Sequence, residues 1–124
     1  MNKARPKYLD LFQIKLPVPG LVSILHRISG LALFLFLPFL LWLLQSSLTS
    51  PESYAHYRDA FSRPLIKLVL IGLLWAFLHH LFAGLRFLAL DVHYGTALRN
   101  ARATSWIVLA ATLIFTVILG AWLW

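Results

Sequence analysis

The chain contains no cysteine, a single methionine and only four acidic residues among its 124. Without cysteine there is no disulfide and no thiolate-held metal or cluster within this chain. The four acids are Asp10, Glu52, Asp59 and Asp91, and none falls inside the long apolar runs. A carboxylate relay carrying protons through a membrane is therefore excluded. Charge of either sign is scarce, at 12% of residues, where a soluble domain carries roughly a quarter.

Charge is also unevenly placed. No Asp, Glu, Lys or Arg occurs from Ile28 to Pro51, from Leu68 to Leu85, or from Ala103 to Trp124. A hydrocarbon core of roughly 30 Å needs about 20 helical residues at ~1.5 Å each. Each run is of that order, so the sequence predicts an all-α membrane protein with three transmembrane helices. The expected spans are about 21–48, 64–90 and 103–124, preceded by a polar cytoplasmic arm over 1–20. The first run is too long, and starts too far into the chain, for the apolar core of a cleavable signal peptide.

The net charge of +7 orients the chain rather than recruiting nucleic acid. Lys3, Arg5, Lys7 and Lys15 precede span one, and Arg99 and Arg102 lie between spans two and three. The other connection holds Arg58 and Arg63, offset by Glu52 and Asp59. Basic loops stay on the cytoplasmic side, so a cytoplasmic N-terminus is expected, in a bacterial inner membrane.

Pro38 lies inside span one and predicts a bend there. "TSPE" at 49–52 carries a cap, a first-turn proline and an acid at the positive end of a helix. Tyr54, Tyr57 and Phe61 share one face at helical spacing. A short interfacial helix and a plain loop both accommodate that stretch. "SRP" at 62–64 repeats the cap-and-proline signal at the start of span two.

The polar residues of the spans converge in depth. With the N-terminus inside, Ser23, His26 and Arg27 occupy the cytoplasmic third of span one. His79 and His80 lie beyond the midpoint of span two, in the same half of the membrane. Ala76, Ala83 and Gly84 share a helix face with His80. Two readings of that face stand: a packing surface for a neighbouring helix, or a shallow groove for a flat macrocycle whose iron takes the His80 imidazole. His79 points about 100° away and is expected to bond to a partner helix or to water. Ser23 and Arg27, one turn apart, can donate to a carbonyl or an anion, and Arg27 can alternatively snorkel to phosphate. Arg86 reads as a boundary charge, or as a partner for an anionic substituent of that macrocycle.

"RPKYLDLFQIKLPVPGLVSILHRISG" together with "HLFAGLRFLALD" resembles the cytochrome b membrane-anchor family of succinate dehydrogenase, the larger anchor of respiratory complex II. That family pairs S-I-L-H-R-[IV]-[ST]-G with a histidine four residues before G-[IL]-R. The resemblance implies that His80 is an axial ligand of haem b, the second histidine coming from the smaller anchor subunit in a heterodimeric bundle. It implies that His26 and Arg27 lie at the haem propionates, and that Ser23 and Arg27 contribute to a ubiquinone site. The implied partners are the flavoprotein, iron–sulfur and smaller anchor subunits, with membrane lipid around them. Some members carry histidine directly after G-[IL]-R, where this chain has Phe87. A haem-free structural anchor and the related anchor of a fumarate reductase are the alternatives.

Overall fold

The computed structural model describes residues 15–124, which form four helices and no strand. Lys3, Arg5 and Lys7, and most of the expected arm, lie outside the described residues. The helices are α1 (Val18–Ser47), α2 (Pro51–Ser62), α3 (Pro64–Asp91) and α4 (Leu98–Leu123). Helices α1, α3 and α4 have 30, 28 and 26 residues and are apolar enough to cross a membrane.

Helix α1 starts at Val18, ahead of the Leu21 expected from the prolines. Pro17 is the N-cap, and its carbonyl accepts from the Gly20 and Leu21 amides at 2.8 and 3.1 Å. Proline in the first turn lacks only an N–H that has no helical acceptor there, so Pro19 costs nothing. The helix then continues through Pro38.

The stretch after α1 is a helix, not a plain loop. Ser50 caps α2, its hydroxyl accepting from the Ser53 amide at 3.1 Å. Tyr57 meets Trp42 of α1 edge to face at 6.2 Å, which holds α2 against the bundle end. Ser50→Ala is expected to destabilise α2 by about 1 kcal/mol. The readout is faster amide exchange over 51–62 with α1 and α3 unchanged. The Glu52 backbone N–H and the Ser50 hydroxyl hold the Glu52 carboxyl below the usual carboxylate range. Its contribution is therefore complete above the ordinary pKa and is lost as pH falls through the lowered one. Protection of α2 should drop only in acid.

Ser62 does not cap α3. Its hydroxyl donates to the Asp59 carbonyl at 2.6 Å, closing α2, and Arg63 is the N-cap of α3. At the other end of α3, His93 adopts φ 63°. The Tyr94 amide donates to Ala89 and the His93 amide to Leu90, both at 2.9 Å. That is the paired bonding of a Schellman stop, and Gly95 at φ 74° completes the reversal into α4.

Helix α3 is the middle element, packed against α1 and α4, which also touch each other. Apart from Leu78 of α3, the buried residues are small or polar: Val22 and Ser29 on α1; Ala76, His79, Ala83 and Arg86 on α3; Ser105, Val108, Thr112 and Thr116 on α4. Large apolar residues such as Phe34, Leu35, Leu88 and Trp106 point outward. This is membrane logic. Lipid solvates leucine as well as a neighbouring helix does, so small side chains and hydrogen bonds decide which faces meet. Thr112 and Thr116 each donate to the carbonyl four residues back at 2.7 Å, leaving no buried hydroxyl orphaned on that face.

Candidate functional site

Two helices contribute the same local pattern, histidine followed four residues later by glycine: His26 and Gly30 on α1, His80 and Gly84 on α3. The helices run antiparallel, so each histidine meets the other helix's glycine. A Cβ on Gly30 would lie 2.8 Å from His80 Cε1, and one on Gly84 would lie 3.6 Å from His26 Nε2. The two imidazoles stack with centroids 4.1 Å apart and planes 8° from parallel. Phe87 closes the far side of His26, edge on at 5.1 Å.

His80 is half-buried and oriented by α1. Its Nδ1 lies 3.1 Å from the His26 carbonyl oxygen. A carbonyl can only accept, so Nδ1 carries the proton. Ser29 Oγ donates to the same carbonyl at 2.9 Å and lies 3.4 Å from His80 Nδ1. With its one hydrogen committed, Ser29 can only accept from the imidazole, which agrees with the same tautomer. The lone pair is therefore on Nε2, which has no hydrogen-bond partner among the described residues. An imidazole so fixed, with Nε2 basic and unpartnered, fits an axial ligand of haem iron.

The face beside His80 is not an open groove. Ala83 is fully buried, clustered with Val22 of α1 and Val108 of α4, and Ala76 is 5% exposed. Gly84 is covered by His26. The small residues serve helix packing.

His79 also departs from expectation. It is fully buried, stacked on Trp75 at 5.2 Å, and neither ring nitrogen has a hydrogen-bond partner among the described residues. It faces α1 near Val22 rather than lipid, and completes no hydrogen bond there. Arg86 is no boundary charge either. At 8% exposure, it donates from Nε to Thr104 Oγ1 at 3.0 Å and from Nη2 to the Ala101 carbonyl at 3.1 Å. Those bonds tie α3 to α4.

Ser23 is half-buried and Arg27 exposed, one turn apart on α1. Among the described residues no hydrogen bond or ion pair engages either side chain. A cation on a spanning helix costs roughly 2.5–3.5 kcal/mol at the helix centre and less near an end. Arg27 meets no anion among the described residues that would offset that cost. Among the described residues no set of three or more His, Cys, Asp or Glu side chains could hold a free metal ion. Nothing in the sequence signals the burial of Arg86 or a role for Ser29. The matched His–Gly spacing on two antiparallel spans was the signal for Gly30.

A family model described as succinate dehydrogenase/fumarate reductase transmembrane subunit matches residues 1–119. The succinate dehydrogenase cytochrome b556 subunit of Coxiella burnetii is 38% identical over 125 residues, covering all of both chains. The b556 subunit of Paracoccus denitrificans is 32% identical over 92% of this chain and 88% of its own. The succinate dehydrogenase cytochrome b560 subunit of Reclinomonas americana is 36% identical over 99% of this chain and 88% of its own. With three apolar spanning helices and near-complete matches of this kind, the chain belongs to the succinate dehydrogenase/fumarate reductase transmembrane subunit family.

Proposed function

We propose that this chain is the haem b-binding membrane anchor of a succinate:ubiquinone oxidoreductase and forms part of its ubiquinone-reduction site. The observation that carries the reading is the fixed tautomer of His80, with Nδ1 on the His26 carbonyl at 3.1 Å and Nε2 left for iron. The cytochrome names of the similar proteins support it. Haem b, when bound, supplies a one-electron centre beside the route from iron–sulfur clusters to quinone.

The chain's own residues then divide the work. His80 would hold the haem iron together with a histidine of the smaller anchor subunit. His26, stacked on His80, and Arg27 beside it would hold the propionates. Ser23 orients a quinone carbonyl, and the Arg27 guanidinium favours charge developing on the quinone oxygen. Arg27 and the outward Ile24, Ile28 and Leu31 of α1 are exposed in this chain alone, which suits an interface with the smaller anchor and the iron–sulfur subunit. The flavoprotein subunit, where succinate is oxidised, completes the assembly. The site lies on the cytoplasmic side of a bacterial inner membrane, with the N-terminus inside.

Mild detergent purification through a tag on this chain tests the reading. One b-type haem per flavin, with both soluble subunits and a second anchor, is expected. A complete four-subunit complex with no b-type spectrum would overturn the haem assignment and leave a purely structural anchor.

A further inference from the structure

We propose that Ser29 and Gly30 are positioning residues for the iron-binding imidazole: Gly30 admits it to its seat, and the Ser29 hydroxyl sets how strongly it donates to iron. The inference rests on His80 being the haem ligand and goes beyond it to two residues to which that reading gives no role.

Gly30 is required by space. A methyl there would stand 2.8 Å from His80 Cε1 and 3.2 Å from Nδ1. The ring cannot step aside, because His26 is stacked on it at 4.1 Å. Gly84 is the contrasting case, since its added Cβ would meet His26 Nε2 at an ordinary 3.6 Å. Alanine should therefore be tolerated at 84 and not at 30.

Ser29 acts through the shared carbonyl. It is 1% exposed, and its hydroxyl donates to the His26 oxygen at 2.9 Å, the same oxygen that takes the His80 Nδ1 proton at 3.1 Å. Two donors on one acceptor weaken each other's bond. The 3.4 Å approach of Oγ to Nδ1 is at the limit of hydrogen bonding and counts for less. Removing the hydroxyl leaves the whole acceptor to His80. Its Nδ1–H is then more strongly polarised, and Nε2 becomes more basic. A more basic ligand favours ferric over ferrous iron, so the midpoint potential falls.

The test is a redox titration of the haem absorption band, with haem per flavin, on intact complexes carrying Ser29→Ala, Ser29→Thr, Gly30→Ala or Gly84→Ala. In Ser29→Ala the ferric-to-ferrous ratio at a fixed potential should rise threefold to tenfold, tenfold being 59 mV for one electron. Ser29→Thr, which keeps the hydroxyl, should stay close to the parent. Gly30→Ala should lose haem or alter the ferric low-spin resonance, while Gly84→Ala keeps both. A full haem complement with an unmoved potential in Ser29→Ala overturns the role of Ser29. Should that variant fail to assemble, an unchanged resonance and haem content in Gly30→Ala overturns the seat. A parent complex without haem overturns the functional reading itself, and is distinguishable because it needs no variant.

Discussion

A complex carrying His80→Ala is expected to assemble with its flavin and clusters but to hold at least about tenfold less haem than the parent. Loss of an outer-shell partner alone typically costs about 10–100-fold in metal affinity, and His80 is proposed as the direct ligand. The change should not unfold the helix pair. The His26 carbonyl keeps its bond from Ser29 at 2.9 Å, so no buried acceptor is orphaned, and His80 is only half-buried. The space vacated is bounded by the His26 ring and Gly30. Haem extracted as its pyridine complex, divided by flavin, is the measurement. A ratio equal to the parent's would mean that the iron is held elsewhere.

Arg27→Ala is expected to lower ubiquinone reduction by about 10²–10³, the usual cost of losing one donor aimed at developing oxyanion charge. Succinate oxidation by an artificial acceptor, which takes electrons before the membrane, should stay within about twofold, a change too small to involve a transition-state contact. Ser23→Ala removes a neutral hydrogen bond worth about 1 kcal/mol and should cost roughly fivefold. Arg27 is exposed and bonded to no described residue, so its removal leaves no unpaired group among the described residues. The ratio of the two activities separates chemistry from assembly. Equal loss of both in Arg27→Ala would place the defect in docking of the soluble subunits.

The three spans were legible because a bilayer imposes a length rule on uncharged runs, and no side-chain detail is needed to apply it. The cap at Ser50 was legible for a similar reason: a hydroxyl, a proline and an acid in sequence act locally. Pairing between helices was not. The periodicity of α3 places Ala76, Ala83 and Gly84 together, but an empty groove and a filled packing face have the same spacing. Only the neighbouring helices decide, and Val22, Val108 and His26 fill it. Arg86 illustrates the same limit. Its distance from the helix end suggested snorkelling, whereas Thr104 and the Ala101 carbonyl of α4 retain it in the bundle. Nothing in the sequence pairs Ser29 with His80, 51 positions away, and only the shared His26 carbonyl brings them together.

The most direct test of the central claim is low-temperature paramagnetic resonance of the ferric haem in three parallel complexes, His26→Gln, His79→Gln and His80→Gln. A low-spin signal of paired imidazole ligands is expected to persist in the first two and to vanish, or turn high-spin, in the third alone. Survival of that signal in His80→Gln, with its loss in either of the others, would contradict the account.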